Sequence, residues 1–235
     1  PTNMLKQFSQ FSLIFGSKSK AQEIVLLLND AKEVVRQGFY ESELLGVERF
    51  CKQNKLHCIK SKFKVLLADN DNSGFSNKGM RIQENDPRPG MYFVYFSKDE
   101  EKALLAAYFE MMNSHKDLGR VLGYPACCIE YFCKSFSKNN PNPEHQPTNA
   151  WTNLTKRKQD RVLLSHFPCN SECIESINLA HKYLEAIMKV NRDEAEELLR
   201  ELKVEKISQK EFSVQNNSDR TMVRTNNFLQ NKRSL

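Results

Sequence analysis

Apolar residues recur at helical spacing through residues 21–37, where Ile24, Leu27, Leu28, Ala31, Val34 and Val35 fall on one face, and the pattern predicts an amphipathic helix stopped by Gly38. A second helix is predicted over residues 42–53, with Leu44, Leu45, Val47 and Cys51 turned inward. The period then changes. Residues 56–68 mix alternation with β-branched and aromatic types, and residues 91–96, M-Y-F-V-Y-F, are almost continuously apolar, so both read as strands. Between them the polar run D-N-D-N-S-G-F-S-N-K-G reads as a hairpin connection; Asp69, Asp71 and Ser73 begin a calcium-loop spacing that the later residues do not complete.

From Ser97 onward the helical period dominates. Ser97 with Glu100 suggests a capping box, and a helix to about Met112 would bury Ala103, Leu104, Ala107, Tyr108 and Met111. A short helix over residues 115–122 ends at Gly123, and Pro125 suits the first turn of the next, where no amide donor is needed. A proline-rich loop follows at residues 139–149, then a helix over about 171–189 and another from Asn191 to about Leu202. The pattern predicts an α+β fold: a small N-terminal sheet with helices (residues 1–96), a mainly helical region packed on it (97–205) and a tail (206–235). That tail holds six basic against two acidic residues and few apolar anchors, and it reads as a flexible extension or one ordered by a protein or RNA partner.

Composition adds little until the cysteines are counted. The formal charge of +6 permits polyanion binding without demanding it. No apolar run reaches the length of a membrane span and no signal peptide is recognisable at Pro1, so a cytoplasmic protein without a membrane partner is expected. The chain has seven cysteines, an odd number that fits reduced thiols better than a paired framework. Five of them stand in two short stretches, G-Y-P-A-C-C-I-E-Y-F-C (123–133) and H-F-P-C-N-S-E-C (166–173), each led by a proline. Isolated Cys51 reads as core, and so does Cys133, which is too far along its helix to join the others.

Pro125 places Cys127 and Cys128 at the positive end of a helix, which favours thiolates. If a helix also begins by Cys169, then Cys169 and Cys173 share a face one turn apart. Two such starts facing each other would gather Cys127, Cys128, Cys169 and Cys173 around a metal, with an iron–sulfur cluster as the leading reading and zinc as the alternative. His166 is a fourth ligand for zinc or a donor to a thiolate. A thiol redox pair and purely structural thiols are the other readings, and no C-x-x-C run decides among them. Adjacent helical side chains leave about 100° apart, so one of Cys127 and Cys128 is expected to ligate and the other to pack or react.

These two stretches resemble a largely archaeal family of domains of unknown function, which shares Gly-Tyr-Pro-x-Cys-Cys and His-x-Pro-Cys-x-x-x-Cys segments. The resemblance covers roughly residues 118–180. It implies that Gly123, Tyr124, Pro125, Cys127 and Cys128 act together with His166, Pro168, Cys169, Cys173 and Ser176, and it names no reaction.

Two functional classes remain open on sequence. In the first, a centre with an incomplete ligand set acts as a catalyst on RNA or a small molecule, with His166 and Glu130 as acid or base. In the second, a zinc-stabilised protein binds RNA or a partner without catalysis. Lys156, Arg157, Lys158 and Arg161 form the basic turn for a nucleic acid, and Trp151 and Tyr124 are candidate base-stacking rings. His115 and His145 sit in polar turns and read as local hydrogen-bonding residues.

Overall fold

The computed structural model describes residues 10–67, 79–137, 139–140, 143, 149–152 and 162–200. Residues 10–15 are helical and α1 follows over Lys18–Leu28, capped by Ser17, whose hydroxyl accepts the Lys20 amide. The helix expected to run on to residue 37 stops here. Asn29 returns its amide side chain to the Val25 carbonyl at 2.8 Å, and Asp30 adopts φ 58°, a left-handed conformation that Asn and Asp tolerate at a helix end. Val34 and Val35 therefore belong to a strand, β1 (Val34–Phe39), and local side-chain competition has overridden the apolar period.

The chain continues through α2 (Glu41–Gln53), β2 (His57–Leu67), β3 (Gly79–Gln83) and β4 (Met91–Ser97). The four strands form one antiparallel sheet in the order β1-β4-β2-β3. β4 is central and its alternation is informative: Tyr92, Val94 and Phe96 enter the main core with α1 and α2, while Tyr95 enters a second cluster on the other face. Cys51 is buried in the main core as expected, whereas Leu45 is exposed.

The mainly helical region begins at α3 (Glu100–Met111), capped by Asp99 rather than Ser97; the Ser97 hydroxyl instead accepts the Asp99 amide and donates to the Glu33 carbonyl. Its buried face also differs from expectation. Ala103, Ala106 and Glu110 face inward, and Leu104, Tyr108 and Met111 are exposed. Small residues allow close approach to the sheet, and Glu110 is tolerated inside because Arg36 and Arg81 pair with it. α4 (His115–Val121), α5 (Ala126–Ser135), a short 3-10 turn (Ala150–Thr152), α6 (Ile174–Val190) and a helix at 192–200 follow. Leu163, Leu164, Tyr183, Leu184 and Ile187 share one apolar cluster with α1, α2 and β4, so the main core runs through both regions. The hairpin residues 69–78 and the basic tail lie outside the described residues. No helix among the described residues is long and apolar enough to cross a membrane.

Candidate metal centre

Why the first cysteine pair sits where it does follows from the turn before it. Gly123 has φ 74°; its amide donates to the Arg120 carbonyl and the Tyr124 amide to the Gly119 carbonyl, a left-handed closure of α4 that a side chain would strain. Pro125, at φ −59° and ψ 137°, then caps α5, its carbonyl accepting the amides of Cys128 and Ile129 at 3.0 Å each. α4 and α5 are held close at Gly119, where a Cβ would stand 2.9 Å from Ile129. Cys127 and Cys128 thus occupy the first turn of α5, among amides with no helical partner.

The second pair is presented differently from expectation. No helix starts at Cys169. Residues 169–173 form a turn in which the Asn170 side-chain oxygen accepts the Glu172 amide at 2.9 Å and the Asn170 carbonyl accepts the Cys173 amide at 3.3 Å. α6 begins only at Ile174, with Cys173 as its cap. The Asn170 side chain satisfies the backbone locally and delays the helix. The 3-10 turn secures this loop, as the Thr152 hydroxyl donates to the Ser171 carbonyl at 2.6 Å and Asn149 donates to Glu172 at 3.0 Å.

These two devices bring four sulfurs together. Cys127 and Cys128 are 3.8 Å apart, Cys127 and Cys173 3.8 Å, Cys128 and Cys173 3.6 Å, and all four sulfurs including that of Cys169 lie within 4.8 Å of one another. Both members of the adjacent pair point inward, against the expectation that only one would. Their Cα–Cβ bonds diverge, but each sulfur is one rotatable bond beyond Cβ, which suffices to close the gap. Cys128 and Cys173 are buried, Cys169 is half-buried and Cys127 is exposed. Cys133 is exposed as well, not core.

Donors converge on the buried sulfurs. The Cys169 amide donates to Cys128 Sγ at 3.4 Å, the Ser176 hydroxyl lies 3.2 Å from the same sulfur, and Asn170 Nδ2 donates to Cys169 Sγ at 3.4 Å. Burial pushes the Cys128 thiol up, and it carries Cys169 to about 11 together with the neighbouring Cys173 and Cys127 sulfurs. Burial also works against the Cys173 thiolate, but hydrogen bonds from the Ser176 hydroxyl and amide and from the neighbouring sulfurs outweigh it and bring that thiol down to about 7.

His166 stands one group behind this centre. It is buried, its Nε2 is 2.9 Å from Ser176 Oγ, and its ring lies 5.1 Å from that of Tyr124 at an angle of 34°. Burial, aided by the Lys32 charge, pushes its pKa down to about 3. It is not among the converging ligands. Glu130 is on the exposed side of α5, 3.9 Å from Lys134, and does not join them either. Trp151 is packed on His181 with ring centroids 4.1 Å apart and contacts the main core. Lys156, Arg157, Lys158, Arg161 and His145 lie outside the described residues.

Sequence reading missed a second buried polar group beside Tyr124. Lys32, with a side chain only 2% exposed, pairs with Glu23 and donates to Ser165 Oγ at 2.8 Å; Gln37 also donates to Glu23, and Tyr124 donates to Ser165 at 3.4 Å. Burial alone would pull Lys32 down, but the Glu23 carboxylate holds it above its usual range. Lys32 and Glu23 carry no spacing signal, since they meet only when α1 folds back on its own loop.

Comparison with known proteins adds no assignment: no family model matches the chain, and no curated protein or solved structure matches it. The site's geometry therefore carries the functional argument. The described residues include a group of four cysteines able to hold a metal ion.

Proposed function

We propose that the protein carries a structural zinc centre formed by Cys127, Cys128, Cys169 and Cys173, fastening the start of α5 to the turn that leads into α6. The sulfur spacing supports this reading. Four thiolates about 2.3 Å from one tetrahedral zinc stand about 3.8 Å apart, and the closest contacts here are 3.6–3.8 Å. A four-iron cluster places its own iron and sulfide atoms between the cysteine sulfurs and needs them wider apart. The chemistry of the donor set fits as well, because soft thiolates in a tetrahedral group suit zinc.

Four protein sulfurs complete a tetrahedral shell, as structural sites do, whereas catalytic zinc keeps a position for water or substrate. Zinc would supply charge neutralisation for the four thiolates and a cross-link between segments far apart in sequence. The amides at the α5 start, the Cys169 amide and the Ser176 hydroxyl offset the remaining negative charge.

Metal analysis of protein purified anaerobically tests the proposal. About one equivalent of zinc, without acid-labile sulfide, is the expected result. Iron and sulfide in stoichiometric amounts would replace it with the cluster reading.

A further inference from the structure

Behind Cys128 the buried polar groups form a chain whose direction can be worked out. Cys128 Sγ is 3.2 Å from Ser176 Oγ, and Ser176 Oγ is 2.9 Å from His166 Nε2. All three residues are buried, Ser176 completely. The other ring nitrogen, His166 Nδ1, is buried without a hydrogen-bond partner among the described residues.

A metal-bound thiolate has no proton, so between Cys128 and Ser176 only the hydroxyl can donate. Ser176 has a single proton, and once it points to sulfur the serine oxygen can only accept from His166. The imidazole must then carry its proton on Nε2, and Nδ1 is left as a bare lone pair. The unpartnered position of Nδ1 agrees independently: a proton there would be an orphaned N–H in the core, which folded proteins avoid more strictly than an under-used acceptor. The Tyr124 ring lies against the imidazole at 5.1 Å and 34°, and the Tyr124 amide is held by the Gly119 carbonyl.

We propose that Ser176 and His166 are positioning residues of the metal centre, forming a one-way relay in which His166 Nε2–H donates to Ser176 and Ser176 donates to the Cys128 thiolate. This rests on the zinc reading for its metal, but the relay requires only that Cys128 be a metal-bound thiolate. With the Cys169 amide at 3.4 Å, the relay gives Cys128 two donors. Cys127, exposed at the surface and outside the relay, is left as the more nucleophilic sulfur.

The full chain, loaded with zinc and labelled with 15N-histidine, gives a direct readout through long-range proton–nitrogen correlation, with His166 assigned by comparison with His166→Gln. A neutral imidazole protonated at Nε2 is expected. Protonation at Nδ1, or an imidazolium at neutral pH, would overturn the relay. A second readout uses cobalt in place of zinc. Ser176→Ala should move the thiolate-to-cobalt charge-transfer band to lower energy and weaken zinc binding by about 10- to 100-fold in competition with a chromophoric chelator. His166→Gln, which keeps a donor where Nε2 lies, should retain both properties better than His166→Leu. Unchanged band and affinity in Ser176→Ala would refute the assignment, and if that variant fails to fold, the tautomer in the unsubstituted protein decides alone. The metal analysis above distinguishes failure of this relay from failure of the zinc reading, because a different metal with the Nε2 tautomer intact overturns only the latter.

Discussion

Replacing Lys32 by methionine should be among the most damaging single changes outside the metal ligands. The substitution keeps the length of the aliphatic stem and removes the charge. It leaves the Glu23 carboxylate, whose side chain is 11% exposed, with Gln37 as its remaining donor, and it strips Ser165 of the Lys32 donor at 2.8 Å. Removing one partner of a buried ion pair costs about 3–5 kcal/mol, and the lost hydrogen bond to Ser165 accounts for about 1 kcal/mol of that scale. Replacing both partners is different. Lys32→Met with Glu23→Leu leaves no buried charge, and its cost should fall to about 1–2 kcal/mol, set by the hydrogen bonds that Gln37 and Ser165 lose. Glu23→Leu alone also strands a buried charge at about 3–5 kcal/mol, so the double change should cost about 4–9 kcal/mol less than the sum of the two singles, a coupling larger than most contacting residues show. Urea unfolding of the zinc-loaded protein, followed by far-ultraviolet circular dichroism for the two single variants and the double variant, measures all three terms. A double variant that loses at least the sum of the singles would refute the argument, because it would mean that the pair stabilises the fold outright and that no uncompensated charge drives the single-variant losses.

The turn that delivers the first cysteines makes a separate prediction. Gly123→Ala forces a side chain into φ 74° and should cost about 1–2 kcal/mol while weakening zinc binding, read by chelator competition; an unchanged affinity would show that the turn does not position the cysteines. The solvent exposure of the ligands predicts an order of attack: hydrogen peroxide or iodoacetamide should modify Cys127 before Cys128 or Cys173, with zinc released in step, as peptide mapping and a zinc indicator would report. Uniform modification of all four would contradict it. His166, whose pKa falls from 6.5 to about 3 on folding, takes up its proton more readily in the unfolded chain. Stability contributed by the neutral ring is therefore complete above pH 6.5 and declines as pH falls toward 3, by up to about 1.4 kcal/mol per unit. His166→Gln should lose less stability than the unsubstituted protein between pH 6.5 and 5, and parallel pH curves for the two would count against a buried neutral histidine.

How far the sequence revealed this protein depended on whether a feature was local. The apolar run at 91–96 and the mixed pattern at 56–68 became β4 and β2, since continuous β-branched and aromatic residues leave a buried strand few alternatives. The helix at 42–53 and the Gly123 stop were equally local. The extended helix over 21–37 failed because Asn29 and Asp30 ended it through their own side chains and backbone, a signal that the regular spacing of Ile24, Leu28, Val34 and Val35 outweighed. The face of α3 was misread for a tertiary reason: Arg36 and Arg81 arrive from strands to pair with Glu110, and nothing within α3 announces them. At the metal centre the proline-led stretches identified all four cysteines, but the turn at Asn170 and the convergence of both Cys127 and Cys128 required the packed structure. His166 was named as a donor to a thiolate; no spacing in the sequence placed Ser176 between them.

The sequence separation of Cys127 and Cys173, 46 positions, has a consequence for tolerance to change. A metal clasp that joins two such distant points sets the ends of the intervening stretch whatever its length. The entropy of closing a flexible stretch grows only with the logarithm of its length, so doubling the connecting portion would cost about 0.6 kcal/mol. Outside residues 149–152, the stretch between the end of α5 and the 162–173 segment is thus a place to test for tolerated insertions or a grafted peptide. The clasp sets the two borders of that place, and within it residues 149–152, which hold the cysteine loop and pack on the core, must be kept.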